Sequence, residues 1–283
     1  MEILTTVDAM RAWSTGHRVG GRRVGFVPTM GYLHEGHLAL VREARRRADV
    51  VVVSIYVNPT QFGPSEDLDR YPRDLERDRR LLEGEGVDAL FFPPTDQMYP
   101  GAACTFVTVE GSLTRGLCGA TRPGHFRGVA TIVTKLFVVV QPHVAVFGLK
   151  DYQQFRVIVR MTTDLLLDVE LVGFPTVREP DGLAMSSRNV FLSPDERARA
   201  LALPRGLQAA TDSLERGAEP ADALAELRAT LQSAGGRPDY VTLADADSLD
   251  DVTTREPGRR VVLAAAVFFG RTRLIDNRVA TLG

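Results

Sequence analysis

Cysteine is nearly absent from this chain, aromatic residues are sparse, and neither sign of charge dominates. Among 283 residues there are 2 Cys and 1 Trp, and Phe, Trp and Tyr together make up 7%. Cys104 and Cys118 form no metal-ligating pattern and allow one disulfide at most. The N-terminus, MEILTTVDAM, lacks the basic and apolar regions of a secretory signal, so both thiols read as reduced and the protein as cytoplasmic. A net charge of −2 creates no global field toward nucleic acid or an acidic membrane. No apolar run approaches the ~20 residues of a membrane span. Internal repeats and low-complexity tracts are also missing. What remains is an ordinary globular composition, 44% hydrophobic and 25% charged, long enough for one large domain or two modest ones.

Against this plain background, residues 27–40, VPTMGYLHEGHLAL, stand out. The apolar run at 24–27 predicts a short buried strand, which Pro28 and Gly31 break. From Gly36 onward, Leu38, Leu40, Val41 and Ala44 follow a helical spacing. His34 and His37 therefore fall in a strand-to-helix turn or on the first helical turn. Unpaired N–H groups and the positive end of the helix dipole favour an anion there, and Gly36 lets it approach the backbone. The pair suits a polyphosphate; two surface histidines on a capped helix are the bland alternative. Zinc fits poorly, because HEGH brings the second His one residue earlier than H-E-x-x-H requires.

The rest of the chain predicts an α/β fold. A helix is expected over 5–16 with Val7, Met10, Ala12 and Trp13 inward. The β-branched run at 51–57 reads as a strand buried on both faces of a parallel sheet, making a right-handed βαβ unit with the preceding strand and helix. The polar segment 58–69, broken by Pro59, Gly63 and Pro64, leaves the edge of the sheet where ligands bind, which makes Gln61 and Phe62 candidates. A charged helix is expected over 71–85; Asp74 and Asp78 on it are spaced to meet a metal or to pair with Arg77. A further strand is expected over 87–92, and a strand plus loop over 104–118, where TFVTVE at 105–110 alternates. Residues 115–127 read as a loop in which Arg122, His125 and Arg127 bind anions or merely face solvent. A helix over 131–140, a strand over 144–147 and a strand over 168–172 complete roughly five parallel strands. At 148–154, GLKDYQQ, a strand again gives way to a helix: Lys150 can reach a phosphate, and Asp151 can cap the helix or bind a ribose. Residues 177–189, VREPDGLAMSSRN, present Gly182, Ser186, Ser187 and Arg188 on a loop able to close over a triphosphate. Beyond Pro194 the chain turns alanine-rich, with helices over 195–216 and 220–234 and strands near 239–244, 261–267 and 272–275.

PTMGYLHEGH resembles the HxGH signature of class I nucleotidyltransferases and aminoacyl-tRNA synthetases, and MSSRN resembles the second loop that accompanies it. Together with VNPTQFGP, DLDRYPR, HFRGV, FGLKDYQQ and RTRLIDN, the chain is similar over essentially its whole length to the pantoate–β-alanine ligase (pantothenate synthetase) family. The resemblance implies a Rossmann-like parallel sheet with helices on both faces over 1–176, and a smaller C-terminal α+β lid domain over 177–283. It implies that ATP and Mg²⁺ activate pantoate as an adenylate, which β-alanine then attacks. His37, His34 and Lys150 would be catalytic. ATP would meet Met30, His34, His37, Gly148, Lys150, Asp151, Val177, Met185, Ser186, Ser187 and Arg188. Pantoate would meet Met30, Gln61 and Gln154, and Asp78 would be the metal-associated acid. A homodimer is also implied, with no nucleic-acid or membrane partner. AMP transfer to a phosphate-bearing acceptor shares both signatures. A truncated aminoacyl-tRNA synthetase does too, but the near-neutral charge and the lack of a basic stripe speak against it.

Overall fold

The computed structural model describes residues 1–63, 66, 68–101 and 103–283; Pro64, expected to break the chain after the second strand, lies outside them. The chain divides into two compact units. The first is Met1–Val109, Arg122–Leu149 and Gln154–Pro175; the second is Thr176–Gly283 with two short excursions, Glu110–Thr121 and Lys150–Gln153.

Among the described residues, the first unit holds a six-stranded parallel sheet in the order β1-β4-β3-β2-β5-β6. Its strands are β1 (Glu2–Leu4), β2 (Val24–Thr29), β3 (Val50–Ile55), β4 (Ala89–Phe91), β5 (Val144–Gly148) and β6 (Glu170–Phe174). The run VVVVSI in β3 is buried at every position, as expected of a strand covered on both faces. From β2 the chain steps outward through β3 to β4, then returns to the other side of β2 with β5. Strand order thus reverses between β2 and β5, where open α/β sheets bind ligands beyond the carboxyl ends of their strands. The crossovers α2 (Glu35–Arg47, β2 to β3) and α8 (Tyr152–Asp164, β5 to β6) travel in opposite directions. Right-handed connections then lay them on opposite faces.

Several expectations need correction in this unit. Strand β1 has no counterpart among the expected elements, since three residues at a sheet edge carry no periodic signal. In α1 (Val7–Val19) the buried residues are Met10 and Ser14; Ala12 is exposed, and Trp13 is only partly covered, its indole donating to Glu2. Helix α3 covers Leu75–Gly84, starting four residues later than expected because Asp74 caps it by accepting the Arg77 N–H. No strand forms over 103–110 despite the alternation; Val107 N–H instead donates to Thr131 Oγ1 at 2.9 Å. After the short α4 (Thr95–Met98), and α5 (Ser112–Arg115) and α6 (Leu117–Thr121) of the second unit, α7 spans His125–Val140. It begins six residues before the expected start, since Gly124 in the left-handed region turns the chain into it.

The second unit packs α9 (Pro194–Ala200), α10 (Ala202–Glu215) and α11 (Pro220–Ser233) with an antiparallel sheet of β7 (Arg237–Asp245), β8 (Arg260–Phe269) and β9 (Thr272–Thr281). Leu203, Leu207, Leu214, Leu227, Val241, Leu263 and Leu274 share its core. The single helix expected over 195–216 is two. Pro204 has no N–H to offer the Ala200 carbonyl, and the helix breaks at Leu201. Strand β9 runs six residues past its expected end, because the polar pair Asp276 and Asn277, which reads as a strand stop, is buried within it. The thiols of Cys104 and Cys118 are unbridged. No helix among the described residues is long and apolar enough to cross a membrane.

Candidate active site

The His34/His37 turn is built by the chain leaving β2 at the switch point. Thr29 Oγ1 donates to the Ser54 carbonyl at 2.8 Å and accepts the Gly31 N–H at 3.2 Å. Gly31 has φ +83°, and a Cβ there would come 2.9 Å from Ile55 Cγ2, so neither its conformation nor its space admits a side chain. Tyr32 follows at φ +50°, a left-handed conformation that costs a non-glycine residue about 1 kcal/mol. Asp78 holds this turn. One of its carboxylate oxygens accepts the Tyr32 N–H at 2.6 Å, the other the Leu33 N–H at 2.7 Å, and the residue is 1% exposed. Burial pushes the Asp78 carboxyl upward, against the pull of the two amides.

His34 then caps α2 from an extended conformation, and His37 occupies its third position. His37 Nδ1 accepts the His34 N–H at 3.2 Å, doing what a Glu does in a capping box. An accepting Nδ1 is unprotonated, so the neutral ring carries its proton on Nε2. The two imidazoles stack with centroids 4.0 Å apart. Such a stack at a helix N-terminus offers N–H donors to an anion.

Gln61 lies at the end of the neighbouring strand, on a 3-10 turn at Pro59–Gln61. Its amide nitrogen meets Met30 Sδ at 3.0 Å, so these two expected pantoate residues are brought together. Three side chains fix Gln61 that the sequence reading did not assign to it. Buried Asn58 donates to Gln61 Oε1 at 3.2 Å and to the Gly128 carbonyl at 3.1 Å. His125 Nδ1 donates to the Gln61 carbonyl at 2.8 Å while its Nε2 accepts from Arg122 at 3.0 Å. Arg122 also reaches that carbonyl at 3.3 Å and pairs with Glu66 at 2.6 Å. Burial alone would raise the Glu66 carboxyl, but the Arg122 guanidinium holds it below the usual range. Gly128 allows α7 to lie this close: a Cβ there would sit 2.4 Å from the Thr60 carbonyl oxygen. Of the three residues read as possible anion ligands, Arg122 is engaged with Glu66, His125 with Gln61, and Arg127 lies over the Phe106 ring at 3.8 Å. The signal for Asn58 was available, since Asn-Pro after a buried strand marks a side-chain-closed turn.

Gly148 ends β5 within the first unit, and Gln154 sits partly exposed on α8. Its neighbour Gln153 is structural: its amide accepts from Cys118 N–H and donates to the Leu113 and Gly116 carbonyls, each at 2.9 Å, all in the second unit.

In the second unit, Lys150 and Asp151 lie on a 3-10 turn at Leu149–Asp151 that leads into α8. The Lys150 ammonium is 3.8 Å from Asp151, and its side chain is 19% exposed. The loop expected over 177–189 is a short hairpin followed by a 3-10 turn. Met185 N–H donates to the Val177 carbonyl at 3.0 Å, Arg178 bridges Ala184, and Gly182 N–H closes the turn onto Glu179 at 2.8 Å. Ser186 then caps the turn Ser187–Phe191, its Oγ accepting the Arg188 N–H at 3.2 Å; Ser187 is buried. Asn189 ties the hairpin together by donating to Glu179 at 2.8 Å and to the Ala184 carbonyl at 3.1 Å. Val177, Met185, Ser186, Ser187 and Arg188 are thus gathered on one stapled segment.

A resident magnesium does not fit the side chains present. Both oxygens of Asp78 are engaged by amides, Arg77 approaches one of them at 3.4 Å, and no group of three ligating side chains exists among the described residues. Mg²⁺ commonly arrives with substrate phosphates and keeps several waters, which asks little of the protein.

The sequence pattern of the family described as Pantoate-beta-alanine ligase matches residues 2–279. The chain is 56% identical to the pantothenate synthetase of Myxococcus xanthus, with 97% of this chain and 94% of the relative covered. It is 53% identical to that of Thermotoga neapolitana, with 99% of both covered. The crystal structure of pantothenate synthetase from Thermus thermophilus is similar at a TM-score of 0.91 and 50% identity, covering 98% of this chain and 99% of that one. A pantoate–β-alanine ligase from Francisella tularensis, complexed with beta-gamma ATP and β-alanine, is similar at a TM-score of 0.82 and 32% identity, covering 99% of this chain and 97% of that one. Whole-length matches at such identities leave one reading of its ancestry: this chain belongs to the pantoate–β-alanine ligase family.

Proposed function

We propose that this chain condenses pantoate with β-alanine at the expense of ATP, through a pantoyl adenylate. The observation that carries this reading is the stacked His34/His37 pair at the N-terminus of α2, beyond the strand ends where the sheet reverses order. The family membership supplies the substrates. In the first step a pantoate carboxylate oxygen attacks the α-phosphorus of ATP. A new P–O bond forms as the bond to pyrophosphate breaks. In the second, the amine of β-alanine attacks the acyl carbon, the amide forms, a proton leaves the nitrogen, and AMP departs with the acyl–oxygen bond pair.

The first step concentrates negative charge on phosphate oxygens, which fixed donors offset best in a dry site. His37 supplies its Nε2–H, with His34 beside it; Lys150, Ser186, Ser187 and Arg188 add donors toward the leaving phosphates. Met30 with Gln61, and Gln154, orient pantoate, an amide being able both to donate and to accept. Gly148 and Asp151 meet the ribose; Val177 and Met185 border the nucleotide. Mg²⁺ enters as the counter-ion of ATP, while Asp78, whose carboxylate takes the Tyr32 and Leu33 amides, holds the turn before His34 rather than the metal. The adenylate is already activated, so the amine step needs mainly positioning. By family resemblance we also read the enzyme as a cytoplasmic homodimer.

The test is isotope exchange between pyrophosphate and ATP. Exchange should require pantoate and proceed without β-alanine, and AMP and pantothenate should form when β-alanine is added. Full activity with no exchange in its absence would overturn the adenylate pathway.

A further inference from the structure

The motif RTRLIDN runs from Arg271 into strand β9 and ends on two buried polar residues, Asp276 and Asn277. Successive residues of a strand point to opposite faces. Asp276 points to the face that also bears core residues Leu274 and Ala280. Its carboxylate takes the Arg178 guanidinium in a two-pronged pair at 2.7 and 3.0 Å, with the Asp276 side chain 1% exposed. Arg178 simultaneously donates to the Gly182 carbonyl at 3.2 Å, so this pair holds the base and the tip of the hairpin that leads to Ser186, Ser187 and Arg188. Asn277, equally buried, points the other way, and its amide nitrogen donates to the Lys150 backbone carbonyl at 2.8 Å. The strand itself is rigidly registered on β8, with Asp276 opposite Ala265 and Asn277 opposite Ala264.

Two consecutive residues of one strand therefore grip two segments that are distant in sequence and that both carry phosphate-directed donors. One holds the backbone under the Lys150 ammonium; the other holds the hairpin that presents Ser186, Ser187 and Arg188. We propose that Asp276 and Asn277 are positioning residues for the reaction, setting the separation between Lys150 and the second phosphate segment. This rests on the reading that both segments act on ATP. Because they share one strand, a shift at one grip is transmitted to the other. The bidentate geometry of Arg178 leaves it little freedom.

The experiment is a pair of double-mutant cycles read by pantoate-dependent ATP–pyrophosphate exchange: Asn277→Ala with Lys150→Ala, and Asp276→Asn with Arg188→Ala. Each β9 variant alone should lower kcat by roughly 10- to 10²-fold, the scale of an ångström-level misplacement, with the KM for pantoate nearly unchanged. In the Lys150→Ala background, Asn277→Ala should cost little more, because its effect runs through Lys150. The same non-additivity is expected for the second cycle. Lys150 also gives a direct readout. Lys135 and Lys150 are the only lysines of the chain, and Lys135 donates to the Met98 carbonyl at 2.6 Å. Site-resolved amine labelling should find Lys150 protected by ATP in the wild type and unprotected in folded Asn277→Ala. Asp276→Asn, nearly isosteric, serves if Asn277→Ala does not fold. Additive losses, or β9 variants with wild-type exchange beside an impaired Lys150→Ala, overturn the positioning role alone. Wild-type exchange in Lys150→Ala overturns the reading of Lys150 itself, and the proposal with it.

Discussion

In the first unit the phosphate-directed turn is held by a single carboxylate: Asp78 reaches across from α3 and takes the N–H groups of Tyr32 and Leu33, directly before His34. In the second unit no single group does this. Lys150 is held through its carbonyl by Asn277, and the 177–185 hairpin through Arg178 by Asp276, two side chains of one strand. The first arrangement fixes backbone that is itself unusual, with Gly31 and Tyr32 both at positive φ, and a buried acceptor compensates the local cost. The second, whose hairpin also turns through a positive φ at Gly182, is held by alternation along a strand. One turn therefore depends on a buried negative charge and the other on register.

The largest test of this contrast is at the histidines. His37→Ala should reduce the exchange rate by roughly 10²–10³-fold, the usual scale for a donor to transition-state charge, and His34→Ala by a similar factor. Their melting temperatures should move little, since neither ring is the anchor of the turn. A full rate in either variant would reduce that residue to a helix cap.

The next test removes the anchor. In Asp78→Asn one amide N–H gains a donor where it had an acceptor, and urea unfolding should report a loss of about 1–3 kcal/mol. The rate should fall with it, while the Mg²⁺ concentration for half-activity stays put. A raised Mg²⁺ requirement at unchanged stability would instead make Asp78 a metal-associated acid and erase the contrast between the two turns.

The smallest effect is expected where the scaffold is redundant. Gln61→Ala leaves Asn58, His125 and Arg122 holding the turn, so the fold should survive. The loss should be confined to pantoate, whose KM should rise roughly tenfold, about the value of one hydrogen bond to a charged group. An equal rise in the KM for ATP would mean that the turn, not the amide, matters.

Local patterns carried much of this into the sequence. The β-branched run at 51–57 announced the doubly covered strand β3, and helical spacing after the break at Gly31 put both histidines on a helix start; Pro28, read as breaking β2, lies within it opposite Ser54. Misread elements were those decided by partners remote in the chain. The alternation at 105–110 found no strand to pair with, and Val107 bonded to Thr131 instead. Trp13, apolar by composition, stayed half-covered because its indole reached Glu2. Arg122 and His125 read equally as anion ligands or as solvent-facing loop residues, since cationic side chains in a Gly- and Pro-rich loop do not reveal that Glu66 and the Gln61 carbonyl will claim them.

By itself the sequence determined the class of the sheet, the strand-to-helix turn at His34 and His37, and the motifs that tie the chain to its family. Each of these depends on neighbours within a few residues, where hydrophobic period and turn chemistry act. The tertiary structure alone decided that Asp78 props the first turn, that His125 and Arg122 hold the Gln61 carbonyl, and that Asp276 and Asn277 face opposite ways to hold the hairpin and Lys150. Those bonds join residues that only folding brings within about 3 Å of one another, and a buried polar side chain must find its partner there or forfeit the cost of leaving water.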